Sequence, residues 1–77
     1  YRETEAPMFL RLCCGDPRST LSSLEKALGR CTRIAVKSAP DNELGLVTPP
    51  VSAAALDKAL LSLTNVAVES RLRVADF

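Results

Sequence analysis

The sequence has no histidine and no tryptophan, and it is poor in other aromatic residues and in glycine. Its 77 residues include two phenylalanines, one tyrosine and three glycines. The lack of histidine removes the side chain most often used as a general base and as a metal ligand. Three cysteines, Cys13, Cys14 and Cys31, give an odd count without Cys-x-x-Cys spacing, which disfavours a disulfide framework or a zinc site. We therefore expect a non-catalytic chain with no metal and no other cofactor.

Strong net charge and long apolar runs are also missing. The formal net charge is +1, which gives no overall attraction to nucleic acid or to a membrane. No apolar run approaches the roughly 20 residues that cross a bilayer, and the polar start is unlike a signal peptide. Together with the cysteine pattern, this predicts a reduced, cytoplasmic setting. The chain begins with Tyr1 rather than Met, so we expect a domain excised from a larger protein, with residues 1–7 as a lead-in or linker and 8–77 as one domain.

The order of hydrophobic periodicities predicts βαββαβ. Alternation predicts a first strand over 8–14, and leucines at helical spacing predict a helix capped by Ser19 or Thr20 and ended by Gly29. Two further strands, at 31–38 and 44–48, flank a turn over 39–43. A second helix is capped by Ser52 and broken at Thr64 and Asn65, and a last strand alternates over 66–74.

Each strand has one apolar face and each helix one apolar stripe, so burial requires two layers. With right-handed crossovers this predicts an α+β ferredoxin-like sandwich, in which two helices cover one face of a four-stranded antiparallel sheet. The core is predicted to contain the following residues: Leu10, Leu12, Leu21, Leu24, Leu28, Ile34, Val36, Leu46, Leu56, Leu60, Leu63, Val68 and Leu72. Because Cys13 and Cys14 are adjacent in a strand, they should point to opposite faces, with Cys14 in the core and Cys13 at the surface.

Several short segments resemble the ACT domain, a regulatory module attached to many enzymes of amino-acid metabolism. Met8-Phe9-Leu10-Arg11-Leu12 followed by Gly15-Asp16-Pro17 is similar to its opening strand and turn. Leu46-Val47-Thr48, Ser52-Ala53-Ala54-Ala55-Leu56, Ala59-Leu60 and Leu72-Arg73-Val74 are similar to the C-terminal ACT domain of homoserine dehydrogenases. The resemblance implies a non-catalytic regulatory or subunit-assembly domain, with an NAD(P)-dependent homoserine dehydrogenase catalytic domain upstream in the parent chain.

The resemblance also implies a small amino-acid effector and a homodimer or higher homo-oligomer, paired edge to edge or through helices. The effector would bind at Asp16, Pro17, Arg18, Ser19 and Thr20, with its carboxylate on free amides at the start of the first helix. This sequence departs from the family where Arg18 replaces a glycine and where Pro49-Pro50 replaces a histidine. Arg18 would either block the effector or hold its carboxylate. The alternative is an ordinary turn in which Asp16 and Ser19 cap the helix.

A second hypothesis is a ferredoxin-like module that associates with nucleic acid through a basic sheet face. Alternation places five basic residues on the face away from the helices, against Glu69 alone: Arg11, Arg33, Lys37, Arg71 and Arg73. RNA-binding domains of this strand order stack bases on aromatic residues, and here only Phe9 qualifies. We therefore expect nucleic-acid binding less than amino-acid regulation, and no membrane partner.

Overall fold

The computed structural model describes residues 5–35 and 42–76, and its elements follow the predicted βαββαβ order. The strands are β1 (Met8–Cys14), β2 (Thr32–Ile34), β3 (Glu43–Val47) and β4 (Val66–Arg73). The helices are α1 (Pro17–Leu28) and α2 (Ala53–Leu61), and a short 3-10 helix, Val74–Asp76, follows β4. The fold is α+β and of the ferredoxin-like, two-layer type.

The four strands form one antiparallel sheet in the order β2-β3-β1-β4. β1 lies between β3 and β4. Against β3 its pairs run from Phe9 with Val47 to Cys13 with Glu43. Against β4 they run from Met8 with Arg73 to Cys14 with Val66. The short strand β2 pairs with β3. Beside the start of β1, Ala6 exchanges backbone hydrogen bonds with Val51 at 3.0 and 3.1 Å. No helix within residues 5–35 or 42–76 is long and apolar enough to span a membrane.

The core lies between the sheet and the two helices, on what we call the helix side of the sheet. Six leucines are fully buried there: Leu10, Leu12, Leu24, Leu44, Leu46 and Leu56. Five of them were predicted to be in the core, while Leu44 was not among the predicted core residues. Leu21, Leu28, Leu60 and Leu63 are partly buried and pack against this cluster. Cys14 is buried in the same cluster, which confirms its predicted place.

The N-cap of helix α1 lies three residues before Ser19, the earlier of the two predicted caps. Asp16 is the N-cap, because its carboxylate accepts a hydrogen bond from the Ser19 amide at 3.3 Å. Pro17 takes the first helical position, where a missing N–H costs nothing. Ser19 and Thr20 are therefore inside the helix, and their prediction as the cap was wrong. Gly29 ends α1 with φ +101°, a conformation that favours glycine, as predicted.

Helix α2 follows its predicted signals closely. The Ser52 hydroxyl accepts a hydrogen bond from the Ala55 amide at 3.2 Å, which confirms Ser52 as the cap. The helix ends at Leu61, with Ser62 as its C-cap. Asn65 then adopts a left-handed conformation, with φ +56°, which asparagine tolerates better than most residues. The turn leads directly into β4.

An irregularity in β4 overturns the predicted alternation of the last strand. Arg11 pairs with Ser70 and Leu12 with Val68, so Glu69 is an extra residue in the ladder. The bulge changes which face each later residue takes. Leu72 lies opposite Phe9, away from the helices, and is 48% exposed, so its predicted place in the core was wrong. Val68, opposite the buried Leu12, is on the helix side, but it is 45% exposed at the sheet edge, and its predicted burial was also wrong.

Strand β2 also differs from its prediction. Ile34 pairs with Gly45, which in turn pairs with Arg11 on the face away from the helices. Ile34 is accordingly 38% exposed, so its predicted burial was wrong. The described strand covers Thr32–Ile34 rather than 31–38. Val36, Lys37 and the predicted turn residues 39–41 lie outside the described residues.

Candidate functional site

The turn between β1 and α1 borders an open cavity of about 300 Å³, which we call the turn cavity. It is lined by Cys14, Gly15, Asp16, Ser19, Thr20, Thr64 and Asn65. Gly15 leaves open space, since a Cβ built there would meet nothing within 4 Å. The structure thus brings together three of the five predicted effector residues. Pro17 and the exposed Arg18 lie outside the lining.

The amides predicted to hold an effector carboxylate are largely engaged within the chain. The Ser19 amide donates to the Asp16 carboxylate at 3.3 Å, and the Thr20 amide donates to the Asp16 carbonyl at 3.0 Å. The Asp16 carboxylate is itself negative and stands where a ligand carboxylate would bind. An anionic ligand would therefore have to displace this cap and overcome its repulsion. The capping alternative describes the turn as it is built in this structure.

Thr64 and Asn65 line the turn cavity, although the sequence marked them only as the end of the second helix. The fold explains their position, because β1 and β4 are antiparallel neighbours and Cys14 pairs with Val66. The end of β1 and the start of β4 therefore meet at the same end of the sheet. The predicted fold already placed β1 and β4 side by side and antiparallel. That pairing was the signal from which the position of Thr64 and Asn65 could have been inferred.

The second candidate surface is the face of the sheet away from the helices, which we call the open face. A row of apolar side chains crosses it, because Val47 lies opposite Phe9 and Phe9 lies opposite Leu72. We call these three residues the apolar row. Ile34 stands one row further along, opposite Gly45. The apolar row thus comes from β3, β1 and β4, while Ile34 of β2 lies in the next row, with Gly45 and Arg11.

The other half of the open face carries a charged group, the carboxyl cluster of Arg11, Glu43 and Glu69. The Arg11 guanidinium donates to the Glu43 carboxylate at 3.1 Å, and the Glu43 side chain is only 5% exposed. The pKa of Glu43 lies below its ordinary value. The largest cause is a hydrogen bond from Glu69, and the second is the hydrogen bond from Arg11. The same hydrogen bond and the charge of Glu43 raise the pKa of Glu69. Two carboxyl groups therefore share one guanidinium.

The predicted basic face does not form among the described residues. Arg71 lies opposite the buried Leu10 and Arg33 opposite the buried Leu46, so both are on the helix side at the two edges of the sheet. Arg71 forms an ion pair with Asp57 of α2 at 2.5 Å. Arg73, opposite Met8, is also on the helix side. Four of the arginines predicted for this face are described, and Arg11 is the one that lies on it, beside two glutamates. The basic surface on which the nucleic-acid hypothesis depended is therefore absent from the described residues.

The cysteines do not converge on a site. Cys14 is buried and its neighbour Cys13 is half-buried on the open face, where its sulfur accepts a hydrogen bond from the Asn42 side chain at 3.3 Å. Cys31 is buried beside Gly29, and burial raises the pKa of its thiol. Across residues 5–35 and 42–76, no group of three or more potential ligands is placed to hold a metal ion.

Comparison with known proteins gives this chain no relative. No family model matches the sequence, and neither a curated protein nor a solved structure is similar to it.

Proposed function

We propose that this chain is a non-catalytic, ACT-like domain that assembles the subunits of an amino-acid biosynthetic enzyme similar to homoserine dehydrogenase. The element order, the Gly15-Asp16-Pro17 turn and the likeness of the second half to ACT domains support the assignment. The observation that carries the assembly role is the apolar row on the open face. A domain of this size buries only roughly 60–65% of its unfolded surface, so covering Leu72, which is 48% exposed in the row, adds burial that the monomer lacks.

The partner in this proposal is a second copy of the chain. Each copy has two carboxyl groups to one guanidinium in its carboxyl cluster. In the dimer, the open faces of the two copies would face each other, related by a two-fold axis that runs parallel to the strands. The apolar row of one copy then meets the apolar row of the other, and each Arg11 faces the carboxyl cluster of the other copy. The apolar rows are self-complementary in this arrangement, as a two-fold interface requires, whereas the excess of carboxyl groups in the facing clusters opposes association. Sheets that pack face to face are held about 10 Å apart with nearly aligned strands.

The dimer is expected to be weak. Four strands about 4.8 Å apart, with three rows of side chains about 6.8 Å apart, cover roughly 400 Å² per copy. Standard interfaces bury about 800 Å² per partner. We therefore expect a monomer–dimer equilibrium at micromolar to high micromolar concentration, and in the parent enzyme the association of other domains would strengthen it.

Sedimentation equilibrium with two matched leucine variants tests the assembly role. Leu72→Glu places a charge in the apolar row, and we expect it to weaken self-association at least about tenfold. Leu61→Glu makes the same change on α2, where Leu61 is 86% exposed, and it should leave association unchanged. A wild-type chain that stays monomeric at high micromolar concentration contradicts the assembly role, and so does equal weakening by both variants.

Effector binding in the turn cavity is the second candidate function, favoured by a volume of about 300 Å³ at the predicted turn. Calorimetric titration with threonine, methionine, lysine and isoleucine tests it, in wild type and in Arg18→Gly. Since Arg18 lies outside the cavity lining, both proteins should give the same heat. Asp16→Asn keeps a cap and removes the charge, so stronger binding would show that Asp16 repels the ligand carboxylate, and weaker binding that it holds the ligand ammonium group. Absence of heat from all three proteins would leave the assembly role alone.

A further inference from the structure

A smaller cavity lies on the helix side, at the opposite end of the sheet from the turn cavity. Its volume is about 100 Å³, and its lining comes from the lead-in, β1, the start of α2 and the end of β4: Ala6, Met8, Val51, Ala53, Leu56, Arg71 and Arg73. We call it the arginine cavity. Neither the ACT resemblance nor the proposed assembly role uses these residues as a site, so a ligand here would be independent of both.

The floor of the arginine cavity is apolar and well fixed. Leu56 is fully buried, Val51 is 8% exposed, and Met8 packs against the same core cluster. Val51 is further held by its two backbone hydrogen bonds to Ala6. Ser52 caps α2 directly after it. The apolar floor therefore belongs to paired or packed backbone, so it is preformed and does not depend on the closing of a loop.

The charged part of the lining consists of two arginines with different roles. Arg71 is neutralised by its ion pair with Asp57 of α2. The Arg73 guanidinium makes no hydrogen bond or ion pair with any residue in the described part of the chain. The first turn of α2 contributes no acidic side chain that would oppose an anion. Among the described lining residues the net charge is therefore positive, and Arg73 is the group that supplies it.

We propose that the arginine cavity binds a small aliphatic carboxylate, with its carboxylate on Arg73 and its branched hydrocarbon end against Val51 and Leu56. Guanidinium and carboxylate match in geometry and charge. A cavity of roughly 150 Å³ holds a benzene-sized molecule, so about 100 Å³ suits an isopropyl or isobutyl group. Nucleotides and other drug-sized ligands need roughly 300–1,000 Å³ and do not fit.

The same lining selects against free amino acids. An α-ammonium group needs a carboxylate or a carbonyl near it, and Asp57, the acid that pairs with a lining residue, is already engaged by Arg71. The ammonium would instead lie close to one or two guanidinium groups. The ligand class is therefore a branched short-chain acid or 2-oxo acid rather than its amino-acid counterpart. This distinguishes the arginine cavity from the turn cavity, whose expected effector is an amino acid.

Nuclear magnetic resonance titration of the ¹⁵N-labelled 77-residue chain with isovalerate, valine and isobutylamine tests this proposal. We expect saturable isovalerate shifts confined to the amides of Ala6, Val51 and Ala53 and their neighbours. Because the ligand is small, affinity in the millimolar range is expected. Valine should bind at least about tenfold more weakly, because its ammonium group is repelled by the guanidinium groups, and isobutylamine should give no saturable shift. Equal binding of valine, or shifts spread along the exposed arginines, would overturn the proposal.

Three variants locate the response. Arg73→Gln removes the guanidinium proposed to bind the carboxylate and should weaken isovalerate binding about tenfold. Arg33→Gln makes the same change at the other edge of the sheet and should leave binding unchanged. Ala53→Leu fills the cavity without altering charge and should abolish binding, and the spectrum of each variant reports whether it is folded. Binding that survives both Arg73→Gln and Ala53→Leu would contradict the site.

Discussion

The two faces of the sheet are built from the same strands but are completed in different ways. On the helix side, Leu10, Leu12, Leu44 and Leu46 are fully buried beneath two helices. On the open face, Val47, Phe9 and Leu72 form an apolar row in which Leu72 is 48% exposed, and the carboxyl cluster of Arg11, Glu43 and Glu69 lies further along the strands. The helix side thus holds the core of the monomer, while the open face is the surface that we propose for association.

The arrangement of charge sharpens this difference. The helix side confines its described strand arginines to the sheet edges, where Arg71 pairs with Asp57. The open face has Arg11 at its centre, on the middle strand, with two carboxyl groups around it. A charged group in the middle of a sheet face is compatible with solvent or with a polar partner. It is incompatible with a further apolar layer, which limits what can cover the open face.

The largest difference is expected in the free energy of unfolding, between a variant of a core leucine beneath the helix side and a variant of a leucine on the open face. Leu24→Ala should lower the free energy of unfolding by about 2–5 kcal/mol, because Leu24 is fully buried and its removal leaves a cavity. Leu72→Ala should cost less than about 1 kcal/mol at concentrations where the chain is monomeric, because half of the side chain is already exposed. Urea denaturation of dilute protein measures both. Similar losses from both variants would show that the open face is packed within the monomer.

Adjacent cysteines provide the next comparison, since Cys13 is on the open face and Cys14 is in the core. Alkylation of the folded, dilute protein by iodoacetamide should modify Cys13 at least about tenfold faster, because Cys14 becomes accessible only when the structure opens. Mass spectrometry of timed digests measures the two rates. At dimer-forming concentrations the rate at Cys13 should fall. Equal rates at the two positions would contradict the assignment of faces.

The smallest effect concerns the pH dependence of the carboxyl cluster. The raised pKa of Glu69 means that its proton favours folding at low pH, and this contribution is lost as the pH rises through the raised value. The lowered pKa of Glu43 acts in the opposite sense, favouring folding above the ordinary value of 4.5 and losing this effect as the pH falls. At neutral pH the pair is therefore left with a repulsion that involves Glu69.

Glu69→Gln removes this repulsion and retains a hydrogen-bond donor for Glu43. Below the pKa of Glu69, the free energy of unfolding of the Glu69→Gln variant should equal that of wild type. As the pH rises through the Glu69 pKa, the variant should become more stable than wild type. Urea midpoints at a series of pH values measure this, and Glu5→Gln supplies the same change in charge on an exposed residue away from the cluster. A gain in Glu5→Gln of the same size and pH dependence would contradict the role of the cluster.

Most of the fold could be predicted from sequence because its signals are local. The spacing of leucines, the glycine after Leu28 and the serine before Ala53 predicted both helices, and alternation predicted β1 with the correct face for each residue. The faces of Ile34 and Leu72 could not be predicted in this way. The extra residue at Glu69 and the pairing of Ile34 with Gly45 are decided by neighbouring strands. A single inserted residue reverses every later side chain.

The candidate sites were predictable to a smaller extent. The turn at Gly15 to Thr20 was found by its glycine, proline and capping residues, but the engagement of the Ser19 and Thr20 amides depends on where the helix begins. The basic face was wrong because β4 contains a bulge, which moves Arg71 and Arg73 to the helix side, and because the pairing of β2 with β3 places Arg33 there too. The carboxyl cluster joins residues that are far apart in sequence, on three different strands, and one of them is the bulged residue of β4. No local pattern indicates such a cluster.

The most direct test of the open face as a dimer surface is an isotope-filtered nuclear Overhauser experiment on a mixture of ¹³C-labelled and unlabelled chains at dimer-forming concentration. We expect intermolecular contacts among the Phe9 ring and the methyl groups of Val47 and Leu72. No such contacts are expected from Leu61 on α2. Intermolecular contacts confined to the helices or to the edges of β2 and β4, with none from the apolar row, would contradict the assembly of two copies through the open face.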